Sequence, residues 1–133
     1  MKRIVLFRFH KDLNICINRL KLLHRFNPGI QIIGLWGGEA SGFQEAQATL
    51  APYLDHVWDI PVASPEWKWK NGDLSLMMWY RQLGKDLSFD MLHLLEWDLL
   101  VLDSLDNVYG AAGRKGVALT ALTPLERIQD HWN

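Results

Sequence analysis

The residues best placed to do chemistry are two carboxylates, Glu96 and Asp98, separated by one residue at the end of the apolar run Met91-Leu92-His93-Leu94-Leu95. In extended backbone the side chains of residues i and i+2 leave the chain on the same side. The spacing therefore aims both carboxylates at one point. Like charges so placed repel each other unless a cation lies between them. A divalent ion that prefers oxygen, Mn²⁺ or Mg²⁺, is the expected occupant, and such an ion commonly shares its shell with substrate phosphates. The simpler alternative is that one acid caps the following turn and the other is solvated.

Other residues carry a second tier of possibilities. His10 follows the first apolar run and, as an imidazole, can donate to a phosphate oxygen at neutral pH. Arg8, Lys11 and Arg81 are cations suited to a diphosphate, or else solvated surface charges. The run Trp67-Lys68-Trp69-Lys70 pairs aromatics with cations and either covers a base or sugar or anchors a long loop. Seven tryptophans are many for 133 residues, which fits core packing or a stacking platform. The five histidines include no pair at metal-binding helical spacing, and His93, inside an apolar strand, reads as a buried, hydrogen-bonded residue. Cys16, on the apolar side of a helix, reads as a packed thiol. Gly110 to Gly116 is glycine-rich and basic but lacks the residue order of a phosphate-binding loop, so it reads as a connection.

The elements that must position these residues follow from periodicity. Ile4 to Phe9 is a short, partly β-branched apolar run, expected as a buried strand. Asp12 is placed to cap a helix whose apolar residues Leu13, Cys16, Ile17, Leu20 and Leu23 recur at helical spacing, and Asn27-Pro28-Gly29 stops it. Ile30 to Trp36 is a second strand, and Ser41 with Gln44 forms a capping box for a second helix that Pro52 ends. His56 to Ile60 is a third strand. Pro61 to Gly72 is expected to be a loop. A third helix runs from Asn71-Gly72-Asp73 to about Leu83, with Gly84 as its cap. Met91 to Leu95 is a fourth strand, and Val117 to Leu122 a candidate fifth. Apolar strands alternating with amphipathic helices predict an α/β fold, a mainly parallel open sheet of four or five strands flanked by helices. Residues 1–133 read as one domain.

The stretch from Asp73 to Gly84, followed by Phe89 to Leu105, resembles the GT-A glycosyltransferases. In that superfamily a helix with an early Asp precedes an apolar strand ending in a DxD-type metal motif, and a second apolar stretch follows. Here Glu stands at the first acidic position, a variant familiar in the superfamily. The resemblance, which covers residues 1 to 122, implies a nucleotide-sugar-binding half-fold and a nucleoside-diphosphate sugar as the partner. It makes Asp98 the main metal ligand beside Glu96. It also makes Glu39 and Asp73 nucleotide-binding candidates, with His10 in the loop after the first strand. A complete GT-A enzyme has a second half that supplies the acceptor site and often the catalytic base. The chain is therefore expected to be the donor-binding part alone, with its acceptor unassigned, and to pair with a missing C-terminal half or with itself. A non-catalytic nucleotide-binding or assembly module is the alternative. A flavodoxin-like or receiver-like domain is a third reading. The receiver form is opposed by Arg8 and His10, where paired acids would be required.

Composition narrows the classes further. Apolar residues make up 49% of the chain, enough for a core without disulfides, and the net charge of −1 points to neither nucleic acid nor anionic membrane as a partner. The single cysteine cannot form an internal disulfide. The sequence has no apolar stretch of ~18 residues, and the first apolar run is too short for a secretory signal. A cytoplasmic protein is expected.

Overall fold

Three of the apolar runs, from Ile4, Ile32 and Leu92 onward, have little polar alternation, and strands of that kind need cover on both faces. The computed structural model, which describes residues 1–110, supplies that cover. The elements are β1 (Arg3–Phe9), α1 (Leu13–Phe26), β2 (Gln31–Trp36), α2 (Phe43–Leu50), β3 (His56–Asp59), α3 (Pro65–Lys70), α4 (Gly72–Gln82), β4 (Met91–Glu96) and α5 (Leu105–Tyr109). The strands form a four-stranded sheet in the order β3-β2-β1-β4, parallel throughout. The fold is α/β, an open parallel sheet flanked by helices.

Strand alternation divides the core in two. Val5, Phe7 and Phe9 join Cys16, Leu20, Ala46, Leu50 and Leu105 on the face covered by α1, α2 and α5. Ile4 and Leu6 join Ile33, Leu35, Trp58 and Trp79 on the face covered by α4. Chain order explains this split. From β1 through β3 each strand is added on one side of β1, whereas β4 is added on the other. Right-handed crossovers then put the intervening helices on opposite faces. Arg8 continues the even-numbered, α4-facing side of β1 and lies in register with Glu96 of β4.

Local signals explain where element boundaries differ from expectation. Part of the segment from Pro61 to Gly72 is α3 rather than loop: the Ser64 hydroxyl accepts from the Trp67 amide at 3.2 Å, and Pro65 opens the helix. Those are ordinary start signals, masked here by the shortness of the helix. The capping box at Ser41 does not form. Residues Ala40–Gly42 make a 3-10 turn, and α2 starts at Phe43 without a side-chain cap. Asp12 does precede α1, but in left-handed backbone with φ 52. Its carbonyl, not its carboxylate, receives the Ile15 and Cys16 amides. Gly84 is not the cap of α4: Leu83 takes that position and Gly84 begins a 3-10 turn. The candidate fifth strand, Val117 to Leu122, and the glycine-rich connection beyond Gly110 lie outside the described residues. Among the described residues no helix is long and apolar enough to cross a membrane.

Candidate functional site

In an open parallel sheet, ligands sit beyond the carboxyl ends of the strands, at the point where strand order reverses. Here that point lies between β1 and β4, because β2 and β3 are added on one side of β1 and β4 on the other. Backbone bonds join the segments that follow the strands at this edge. The Trp97 amide donates to the Arg8 carbonyl at 2.9 Å, and the Gly37 amide to the Phe9 carbonyl at 2.8 Å. The segments after β1, β2 and β4 thus converge.

At this edge His10 meets Trp97, ring edge to ring face, with centroids 5.7 Å apart, and the Lys11 ammonium lies 5.5 Å from the centre of the same indole. Burial holds the His10 imidazole below its ordinary pKa, and the charges of Lys11 and Arg8 add to the effect. Asp12 and Asp98 oppose it, which puts Asp98 within electrostatic reach of His10. At neutral pH His10 is therefore a neutral imidazole, able to donate one hydrogen bond without adding charge.

Glu96 and Asp98 do not share one environment. Strand β4 ends at Glu96, and the Leu99 amide closes a turn onto the Glu96 carbonyl at 3.0 Å. The extended geometry that would align residues i and i+2 therefore stops one residue short. Asp98 is exposed in the turn. Glu96 is engaged by Arg8, whose Nε lies 2.7 Å from Oε1 and 3.0 Å from Oε2. The Arg8 side chain is 13% exposed and that of Glu96 40%. Among the described residues no three His, Cys, Asp or Glu side chains gather as a metal-ligand group. Divalent ions of this kind want several free oxygens. As arranged, the Glu96–Asp98 pair does not fit the expected ion, because one of its carboxylates is already neutralised.

Glu39 and Asp73 lie at the same edge, the first in the turn after β2 and the second in the first turn of α4, and both are exposed. Neither side chain has a hydrogen-bond partner among the described residues. The Glu39 carbonyl receives the Trp36 indole N–H at 2.9 Å, which folds the 37–42 turn around that ring. Beside Asp73, Gly72 leaves the room that Arg8 occupies: a Cβ there would collide with Arg8 Nη1. Arg81 sits eight residues further along α4, roughly 12 Å away by helical rise, and lines an apolar groove with Leu76, Met77 and Tyr80. It does not belong to the crevice.

At this edge sequence reasoning missed Asp59 and did not separate Lys68 from the other residues of its aromatic-basic run. Lys68 is only 2% exposed. Its ammonium donates to the Gly38 carbonyl and to Asp59 Oδ1, both at 3.2 Å, so it ties α3 to the ends of β2 and β3. The run Trp67 to Lys70 is thus an anchor whose second residue points inward, while Trp69 stays 61% exposed and Lys70 pairs with Glu66 one turn earlier. Asp59 could have been found by applying the strand-end rule to β3. Lys68 carried no signal, since nothing local separates it from Lys70.

Two residues set aside earlier are structural. His93 is buried, with Nε2 2.9 Å from Arg3 Nη1. Cys16 is buried and its thiol is pushed up to about 12, chiefly by desolvation, which leaves no thiolate at neutral pH. Compared with protein-family models the sequence matches none, and no curated protein matches it significantly.

Proposed function

We propose that this chain is the donor-binding part of a glycosyltransferase and holds a nucleoside-diphosphate sugar in the crevice between β1 and β4. The observation that carries the reading is a coincidence of topology and chemistry. The one strand-order reversal among the described strands falls where His10 and Lys11 meet Trp97, with Glu39 and Asp73 on the same rim. The GT-A resemblance of the Asp73 to Leu105 stretch supports it from the sequence side.

In this reading the roles follow from the contacts. Lys11 and a neutral His10 meet the diphosphate. Glu39 and Asp73, exposed and unpartnered among the described residues, hydrogen-bond the base or ribose. The exposed part of the Trp97 ring offers an aromatic surface. The acceptor and the general base are not assigned to residues.

Thermal unfolding with UDP, GDP and CDP tests the reading. Binding to the folded state stabilises by about 2.7 kcal/mol at a hundredfold excess over Kd. One nucleotide should raise Tm, the others much less, and His10→Ala should reduce the rise. No rise with any of them, in Mn²⁺ or in EDTA, would sink the donor-site reading and leave a non-catalytic assembly module.

A further inference from the structure

Resting on the donor-site reading, we infer that Arg8 stands in for the expected divalent ion: its guanidinium neutralises Glu96 and, with Lys11, supplies the positive charge that a diphosphate needs, so that nucleotide binding requires no metal.

The inference starts from register. Arg8 and Glu96 are opposite each other on adjacent parallel strands, and both side chains leave the sheet on its α4 face. Both Glu96 oxygens lie within hydrogen-bond range of one nitrogen, Arg8 Nε. Nη1 donates to the Lys68 carbonyl at 3.3 Å. Nη2 makes no hydrogen bond to the described residues and is not one of their buried unpartnered atoms, so it remains open to an acceptor from outside the protein. The backbone is shaped around this arrangement, since any side chain at position 72 would collide with the guanidinium.

An ion taking Glu96 would have to displace a mostly buried arginine and leave that cation without its partner, which is strongly unfavourable. Asp98, alone in an exposed turn, is a poor site for a divalent ion, which takes six or more oxygens. A phosphate, in contrast, adds to the existing pair without breaking it. Arginine also matches phosphate geometry through planar, charge-assisted hydrogen bonds. Lys11, over the Trp97 ring on the α1-facing side, is a second cation at the same strand ends.

Isothermal titration of UDP, GDP and CDP into the full chain, in EDTA and then in excess Mn²⁺, decides the matter. The expected result is binding of one nucleotide in EDTA, with affinity within a few-fold of that in Mn²⁺, and no loss in Asp98→Asn. Arg8→Gln alone strands Glu96 and risks unfolding. The double variant Arg8→Gln with Glu96→Gln keeps a neutral pair of similar shape and should weaken binding at least about tenfold, the loss of a charge-assisted hydrogen bond. Binding seen only with Mn²⁺ and abolished by Asp98→Asn would overturn the inference while leaving the donor site intact. Undiminished binding by the double variant would overturn it too, making the pair purely structural. Absence of binding under every condition would remove the donor-site reading itself, and the inference with it.

Discussion

Arg8 is the residue on which the charge balance of the strand-end crevice turns. It is largely buried, holds Glu96 through one nitrogen and reaches the α3–α4 junction through another. Gly72 makes that reach possible, which gives a test at single-residue scale. In Gly72→Ala the new methyl meets the end of a flexible side chain rather than backbone, so the guanidinium can swing aside. Because Nε can keep Glu96 while Nη1 gives up the Lys68 carbonyl, unfolding free energy should fall by only about 1 kcal/mol, the worth of one hydrogen bond, while nucleotide affinity should fall with the misplaced charge. Urea titration and calorimetry on the same variant would separate the two effects. A large stability loss with unchanged affinity would show that Arg8 serves the fold alone.

At the scale of elements, α3 matters more than its six residues suggest. It carries Lys68 into the interior, where the ammonium ties the Gly38 turn to Asp59. Its carbonyl at Lys68 receives Arg8. The helix depends on a short start signal, Ser64 capping the Trp67 amide ahead of Pro65. Ser64→Ala should cost about 1 kcal/mol of stability, as the loss of an N-cap usually does, readable from the urea midpoint. Ser64→Asp should restore most of it, because Asp caps equally well and suits the positive end of the helix. If Ser64→Asp were as unstable as Ser64→Ala, capping would not be what Ser64 contributes.

For the molecule as a whole, the pH dependence of stability should reflect the clasp at the other end of β1 and β4. Arg3 bonds Asp106 at 2.6 Å and approaches His93 at 2.9 Å, while Tyr109 stacks at 5.1 Å from His93, so α5 is held onto the sheet. Burial, helped by the charge of Arg3 and partly opposed by Asp106, carries the His93 imidazole from 6.5 down to about 4. The folded chain then binds this proton less readily than the unfolded one. The stabilisation is complete above about 6.5 and is lost as pH falls toward 4. It amounts to something on the order of 3 kcal/mol. Urea midpoints should drop between pH 7 and 4.5, and His93→Gln should flatten that part of the profile. A wild-type midpoint that stays constant across this range would contradict the assignment. His10, lowered for similar reasons, adds a contribution of the same sign.

Much of the architecture was legible without coordinates, because burial on both faces leaves its mark on each strand separately. The apolar runs at β1, β2 and β4 specify parallel, doubly covered strands wherever they occur. The buried states of His93 and Cys16 follow from their apolar neighbours in the same elements. The candidate edge was legible too, since strand ends can be read one at a time. The pairing of charges was not. Arg8 and Glu96 are 88 positions apart, and only the placement of β4 beside β1, in one particular register, sets them opposite each other. Lys68 and Lys70 look alike in sequence, yet helix docking buries one and leaves the other at the surface. The i, i+2 argument for Glu96 and Asp98 failed because it assumed that the strand continues, and the turn after Glu96 ends it. The burial of apolar runs is governed largely by local composition, whereas the burial of one lysine rather than another and the neutralisation of one charge by another depend on helix docking, strand order and register.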